Sequence, residues 1–146
     1  MASKPFGVAS DHAGLELKRL LVAELGRRGY QVRDFGTDSA ESCDYPDFAH
    51  ALASALSSQE IERGLLVCGT GVGMSISANR HAEVRAVVCS EPLSARMARK
   101  HNDANVLCVG ARVVGQDTAL DILAAFLESE FEGGRHGRRV AKITPT

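Results

Sequence analysis

Cys68 is followed by Gly69-Thr70-Gly71-Val72-Gly73, and no other stretch of the chain is so well suited to chemistry. A thiol acts as base or nucleophile only as the thiolate, and a nearby helix N-terminus favours that form. Ser75-Ile-Ser-Ala-Asn79 reads as the start of such a helix. Glycines let backbone turn sharply and leave its N–H groups uncovered, so the loop can hold an anion. A thiol facing such a loop suits an anionic or enolising substrate. Cysteine is also a common core residue, and glycines also build plain turns. Three alternating glycines are more than a plain turn needs.

Two familiar motifs fail on this loop. A dinucleotide fingerprint, Gly-x-Gly-x-x-Gly, would need glycine where Met74 stands. The next strand ends in Val88-Cys89-Ser90, without the acidic residue that would hold a ribose. A Cys-x5-Arg phosphatase loop would need arginine in place of the same Met74.

The elements around Cys68 must place it. Leu65, Leu66 and Val67 form a short apolar run, as in a strand buried on both faces of a parallel sheet. Phe6 to Ala9 is a first strand that delivers Ser10-Asp11-His12-Ala13-Gly14. Leu17, Leu21 and Leu25 recur at helical spacing, and Arg27-Arg28-Gly29 ends that helix. Gln31 to Phe35 is a second, more polar strand suited to a sheet edge. After a polar loop from Gly36 to Pro46, a helix from about Asp47 buries Phe48, Ala49, Leu52, Ala53 and Leu56. Val84 to Val88 is the fourth strand, Pro92 to Lys100 a helix, and Val106 to Val109 the fifth strand. A last amphipathic helix carries Ala119, Ile122, Leu123, Phe126 and Leu127. The tail Gly133-Gly-Arg135-His-Gly-Arg138-Arg139 is basic, with a further helical turn or two over Val140 to Ile143.

This alternation predicts an α/β fold: a three-layer, Rossmann-like, doubly wound five-stranded parallel sheet with helices on both faces. It should be one domain spanning 1–146. A strand order of 2-1-3-4-5 would put the topological switch between strands 1 and 3, where ligands bind outside the carboxyl ends. Asp11, His12 and the Cys68 loop would meet there. His101 and Asn102 end a helix that returns to the opposite edge, and Arg135 and Arg139 follow the last helix. In one subunit both groups should lie far from Cys68. Exposed charge is the default for the arginines, unless they complete the crevice of a neighbouring subunit.

The formal net charge is −1, which argues against nucleic acid or an anionic membrane as partner. No apolar run approaches the ~18 residues of a membrane span, and the start lacks the apolar core of a signal peptide. A cytoplasmic protein is expected. Cys43, Cys68, Cys89 and Cys108 show no C-x-x-C spacing, so neither a metal site nor a dithiol is indicated. Cys89 and Cys108, in or beside apolar strands, read as inert core thiols.

Nearly the whole chain resembles the type B ribose-5-phosphate isomerases, in the ribose/galactose sugar-phosphate isomerase family. The resemblance rests on Ser10-Asp11-His12-Ala13-Gly14, Asp44-Tyr45-Pro46, Cys68 to Gly73, Arg85 to Val88 with Ser90-Glu-Pro92, His101-Asn102-Asp103, Arg112-Val-Val-Gly115, and Glu132-Gly-Gly-Arg135-His136 with Arg139. It implies a cofactor-free, metal-independent aldose–ketose isomerase with active sites shared across a homodimer, with or without pairing of dimers into tetramers. The phosphorylated sugar would be D-ribose 5-phosphate or D-ribulose 5-phosphate, interconverted through a cis-enediolate. Some relatives take their base, a glutamate, from the far end of the loop; Met74 or Ser75 stands there here, which leaves the thiol. By the resemblance Cys68 is the base and Thr70 moves protons between O1 and O2. His101, from the partner chain, opens the furanose ring with help from Asp11. His12, Arg112, Arg135 and Arg139 bind the phosphate, and Tyr45 and Asn102 contact the sugar. The backbone of Gly69, Gly71, Val72, Gly73 and Ser75 lines the substrate, its N–H groups stabilising the enediolate.

Each role has a plainer alternative. Asp11 could only cap the first helix, His12 could be a solvated loop residue, Tyr45 could only pack before Pro46, and Arg112 could serve a structural ion pair. The same chemistry on galactose or allose 6-phosphate, or on erythrulose 4-phosphate, is an alternative, with the loop from Thr37 to Cys43 flanking the site. A non-catalytic sugar-phosphate-binding subunit is another.

Overall fold

Successive residues of each central strand face opposite helical layers, and that alternation sets the architecture. The computed structural model describes residues 3–146. Met1 and Ala2, the first residues of the start read for a signal peptide, lie outside them. The strands are β1 (Phe6–Ser10), β2 (Val32–Asp34), β3 (Gly64–Cys68), β4 (Ala86–Val88) and β5 (Val106–Gly110). The helices are α1 (Leu15–Arg27), α2 (Tyr45–Ser57), α3 (Val72–Ala78), α4 (Pro92–Asn102), α5 (Gln116–Leu127) and α6 (Arg135–Ala141).

All pairings are parallel, as expected. Val8, Leu65, Val67, Leu107 and Val109 pack into one core with α1, α4 and α5. Ala9, Leu66, Cys68, Val106 and Cys108 pack into the other with α2 and α3. The two helical layers and the sheet between them are the predicted three layers. Cys68 thus faces the α2–α3 side.

The strand order is β2-β1-β3-β5-β4, which corrects the expected 2-1-3-4-5. β5 is buried at all five positions and pairs with β3 along its whole length. β4 has three residues, none fully buried. A central strand needs apolar cover on both faces, and β5 meets that demand better than β4, which becomes the edge. The crossovers keep one hand. Moves in one direction (β2 to β3, β3 to β4) use the α2–α3 layer, and moves back (β1 to β2, β4 to β5) use the α1–α4 layer. The reversal between β1 and β3 survives the correction, so the crevice stays where it was expected.

Three helix starts also differ. α3 begins at Val72 rather than Ser75, because the left-handed Gly71 turns the chain into the helix three residues earlier. α2 begins at Tyr45, with Pro46 in its first turn where a missing N–H costs nothing. α6 begins at Arg135 rather than after the basic run, because Gly133 and Gly134, both with positive φ, break the chain just before it. Arg135 and Arg139, four residues apart, therefore share one face of a helix.

Lys18 is buried on the core side of α1. Its Nζ donates to Asp34 Oδ1 at 2.9 Å and to the Thr37 carbonyl at 2.7 Å. A buried ammonium must be paired, and this one ties the exit of β2 to α1. Lys18→Met keeps the stem's packing but strands the Thr37 carbonyl; Asp34, partly exposed, can turn to water. Urea unfolding should show a loss of about 1–3 kcal/mol. A loss below about 0.5 kcal/mol would mean that the ammonium does not hold this loop.

Candidate active site

Three adjacent strands, β1, β3 and β5, end side by side, and each delivers part of the site. β1 delivers Asp11 and His12, β3 delivers Cys68 and the glycine loop, and β5 delivers Arg112. The Cys68 side chain is 4% exposed. Its Sγ accepts a hydrogen bond from the Gly71 N–H at 3.2 Å. Gly71 takes φ 81°, a left-handed conformation that glycine adopts freely. The loop also lies hard against the end of β5. A Cβ on Gly110 would stand 2.5 Å from the Thr70 carbonyl carbon, so no side chain fits there.

The loop's donors are divided among several tasks. The Gly71 N–H is directed at the thiol, the Val72 N–H at Thr70 Oγ1 (3.3 Å), and the Ser75 N–H at the Gly71 carbonyl (3.1 Å). Among the described residues, the N–H groups of Gly73 and Met74 have no partner. They are the free donors of this helix start. The Ser75 hydroxyl donates to the Val72 carbonyl. Thr70 itself is exposed.

Arg112 sits over this loop in the same chain. Its N–H donates to the Gly69 carbonyl at 2.9 Å. Its Nη1 lies 3.6 Å from where a Gly69 Cβ would be. The side chain has no ion-pair partner among the described residues, so the structural ion-pair alternative has no support. The Tyr45 ring lies against Gly73, with its Cζ 2.6 Å from the position a Cβ would take there. Tyr45 packs, but on the glycine loop rather than away from it, and it is 40% exposed.

Asp11 is buried, and its Oδ1 accepts from the Gly14 N–H at 3.0 Å. It braces the turn before α1, but the N-cap of that helix is Gly14, without a side-chain cap bond, so Asp11 is not its capping residue. His12 is tied down as well: its Nδ1 accepts from the Cys43 N–H at 3.2 Å.

His101, Asn102, Arg135 and Arg139 are not brought to Cys68 within one chain. His101 and Asn102 close α4 at the amino end of the sheet, before β5 begins. The Glu132 N–H donates to the Lys100 carbonyl at 3.0 Å and docks the α6 segment there. His101 stacks on His136 with ring centroids 4.2 Å apart and planes 9° from parallel. Glu132 Oε1 lies 3.7 Å and 3.5 Å from their Nε2 atoms. His136 is held below the usual imidazole pKa range, first by burial, then by the charges of His101 and Arg135. Arg135 and Arg139 are exposed and have no ion-pair partner among the described residues.

His101, Glu132 and His136 offer three potential ligand atoms within 4.8 Å of one another. An imidazole binds metal in its ring plane, and two parallel rings cannot both aim at one ion without turning. The stacked pair is not a ready metal site.

The other two buried thiols are poor candidates for chemistry. Burial, then the nearby Glu91, pushes Cys89 up to about 11. Cys108 is raised by burial first and then by neighbouring Cys68 and Cys89. Lys18, Cys43 and the Glu132–His136 pair are contributors that sequence reasoning did not assign. Lys18 alone left a signal there, a charged residue three before Leu21 on the apolar stripe of α1.

Comparison with known proteins shows the family of the chain. The model of the ribose/galactose isomerase family matches residues 6–143. A protein of Escherichia coli K12 named ribose-5-phosphate isomerase B is 51% identical over 141 residues, covering 97% of this chain and 95% of that protein. The solved structure of Clostridium thermocellum ribose-5-phosphate isomerase B superposes with a TM-score of 0.94 at 53% identity, over 95% of this chain and 94% of that one. The structure of Mycoplasma genitalium ribose-5-phosphate isomerase B with bound ribulose-5-phosphate gives 0.94 at 39% identity, over 98% and 95%. Matched over residues 6–143 by the family model and over nearly its whole length by a relative at 51% identity, the chain belongs to the ribose/galactose isomerase family and is a sugar-phosphate isomerase.

Proposed function

We propose that this enzyme interconverts D-ribose 5-phosphate and D-ribulose 5-phosphate, with Cys68 as the base, in a homodimer whose active sites draw on both chains. The observation that carries the reading is the position of Cys68. Its sulfur lies at the end of a central strand and meets the Gly71 N–H, in a loop that also carries two unpaired backbone donors and has Arg112 beside Gly69. The pentose is favoured by the ribulose-5-phosphate bound to the Mycoplasma genitalium relative.

On the open-chain aldose, the Cys68 thiolate takes the C2 proton. The C–H electron pair becomes the C1=C2 bond, and the carbonyl pair moves to O1, giving a cis-enediolate. The N–H groups of Gly73 and Met74 stand ready to bind this developing charge. The Thr70 hydroxyl carries a proton from O2 to O1. The Cys68 thiol then returns its proton to C1, and the C2 carbonyl of the ketose forms. No proton or electron is left over, so the cycle calls for no oxidant or reductant. Before it starts, a partner subunit's His101 opens the furanose ring, with Asp11 assisting. Tyr45 and Asn102 contact the sugar, and His12 and Arg112 with the partner's Arg135 and Arg139 hold the phosphate. Fixing the remote phosphate positions the C1–C2 end over the thiol.

Shared sites are supported by two features. His101 and the α6 arginines sit at the wrong end of the sheet to serve their own Cys68. In addition, Val72, Ile76, Val88, Leu93 and Val113 expose apolar side chains around α3, the edge strand β4 and the β4 and β5 exits. An apolar patch beside a site is what a subunit interface would cover.

Turnover of D-ribose 5-phosphate should fall by about 10²–10⁴-fold in Cys68→Ala, as expected for loss of a proton-transfer group. Undiminished turnover would remove Cys68 from the role of base. Activity on allose 6-phosphate or erythrulose 4-phosphate well above that on ribose 5-phosphate would reject the pentose.

Mixing subunits tests the shared site. Cys68→Ala and His101→Ala homodimers should each be inactive. Co-refolded, they should regain about a quarter of wild-type activity, since half the dimers are mixed and each carries one intact site. No recovery in verified mixed dimers would place both residues in one chain's site.

A further inference from the structure

The loop between β2 and α2 is anchored at both ends to the end of β1. At its start, the Ser10 N–H donates to the Gly36 carbonyl at 2.7 Å, and the Thr37 N–H donates to the Ser10 carbonyl at 2.8 Å. Lys18 grips the same point through Asp34 and Thr37. Between the anchors the loop braces itself: the Ser39 N–H donates to Thr37 Oγ1 and the Glu41 N–H to Ser39 Oγ. At its far end the Cys43 N–H donates to His12 Nδ1 at 3.2 Å.

A main-chain N–H can only donate. His12 Nδ1 must therefore present a lone pair to it, and the neutral ring carries its one proton on Nε2. The Cys43 thiol lies 3.8 Å from the same nitrogen, but an S–H is a weak donor. A phosphate dianion offers acceptors only. The Nε2–H tautomer gives such an anion a donor, whereas the other tautomer would offer it a lone pair.

We propose that Cys43 is a positioning residue whose main-chain N–H locks His12 in the Nε2–H tautomer, making the neutral ring a standing hydrogen-bond donor for the substrate's phosphate. The donor role rests on His12 being a phosphate ligand, as proposed above; the tautomer does not. The β2–α2 loop thereby enters the site through its backbone and not through a side chain.

The test is the tautomer itself, read from long-range ¹H–¹⁵N spectra of histidine-labelled enzyme at mildly alkaline pH. The wild type should show His12 with Nε2 protonated and Nδ1 as acceptor. Inorganic phosphate should shift the Nε2 signal and leave the tautomer unchanged. Cys43→Ala keeps the N–H and should keep the tautomer. Cys43→Pro deletes the N–H and should give a mixture of tautomers. Its KM for D-ribose 5-phosphate should rise about three- to tenfold with kcat within about twofold, the range for loss of one neutral hydrogen bond. A wild-type ring protonated on Nδ1 overturns the lock, and so does a Cys43→Ala spectrum like that of Cys43→Pro. The wild-type spectrum decides alone if the proline variant does not fold. His12→Ala separates the two layers. If it leaves KM and inhibition by inorganic phosphate unchanged while the wild type shows the stated tautomer, the phosphate reading and the donor role fall and the lock stands.

Discussion

The Thr70 backbone crosses the end of β5 where Gly110 leaves no room for a side chain. This backbone-on-backbone contact sets the position of the glycine loop beside Cys68. It presses the glycine loop against the sheet, so the Gly71 N–H reaches the sulfur of Cys68 without a bridging water. It also brings Arg112, two residues past Gly110, over the same loop. A side chain at 110 would lift the loop and separate donor, thiol and guanidinium together. Preorganised donors lose most of their worth when displaced by about an ångström, which is why the crowding matters more than any single bond.

Much of this could be read from the amino acids, and the reasons are physical. Buried strands announce themselves as continuous apolar runs, so β1, β3 and β5 were visible, and so was the more polar edge strand β2. Glycines spaced by single residues beside a cysteine mark a loop with a purpose. What stayed hidden depends on comparison between distant segments. Whether β4 or β5 pairs with β3 turns on which is better covered on both faces, and both are short apolar segments containing two or more valines. The start of α6 was misplaced because arginine-rich sequence carries no apolar period; two left-handed glycines decide it. The Cys43–His12 bond joins residues 31 apart through a backbone donor that every residue type possesses, so no residue type could betray it.

The site also shows how one fold divides its labour. Groups that touch the reacting carbons, in the proposed reading, sit on strand ends and on a tightly packed loop, where positions are stiff. Groups proposed to grip the phosphate come from the exits of β1 and β5 and from a short terminal helix, and the flexible arginine stems among them can follow the ligand. Glu132 and His136 belong to neither set; they pack His101 in place from the side, the first by docking the α6 segment on α4 and the second by stacking.

The unpaired arginines have a consequence at long range. Arg19, Arg27, Arg28, Arg33, Arg85 and Arg99 are each neutralised by a carboxylate within their own chain. Among the described residues Arg112, Arg135 and Arg139 have no such partner, and neither do Arg63, Arg80, Arg96 and Arg138, so the small net charge of −1 conceals cations without a counter-ion. A doubly charged metabolite diffusing past would be drawn toward these groups from roughly a Debye length, about 8 Å at physiological ionic strength. If these arginines meet in the proposed shared site, capture rather than chemistry is the step that added salt would slow, and the encounter rate becomes a property of where counter-ions are missing.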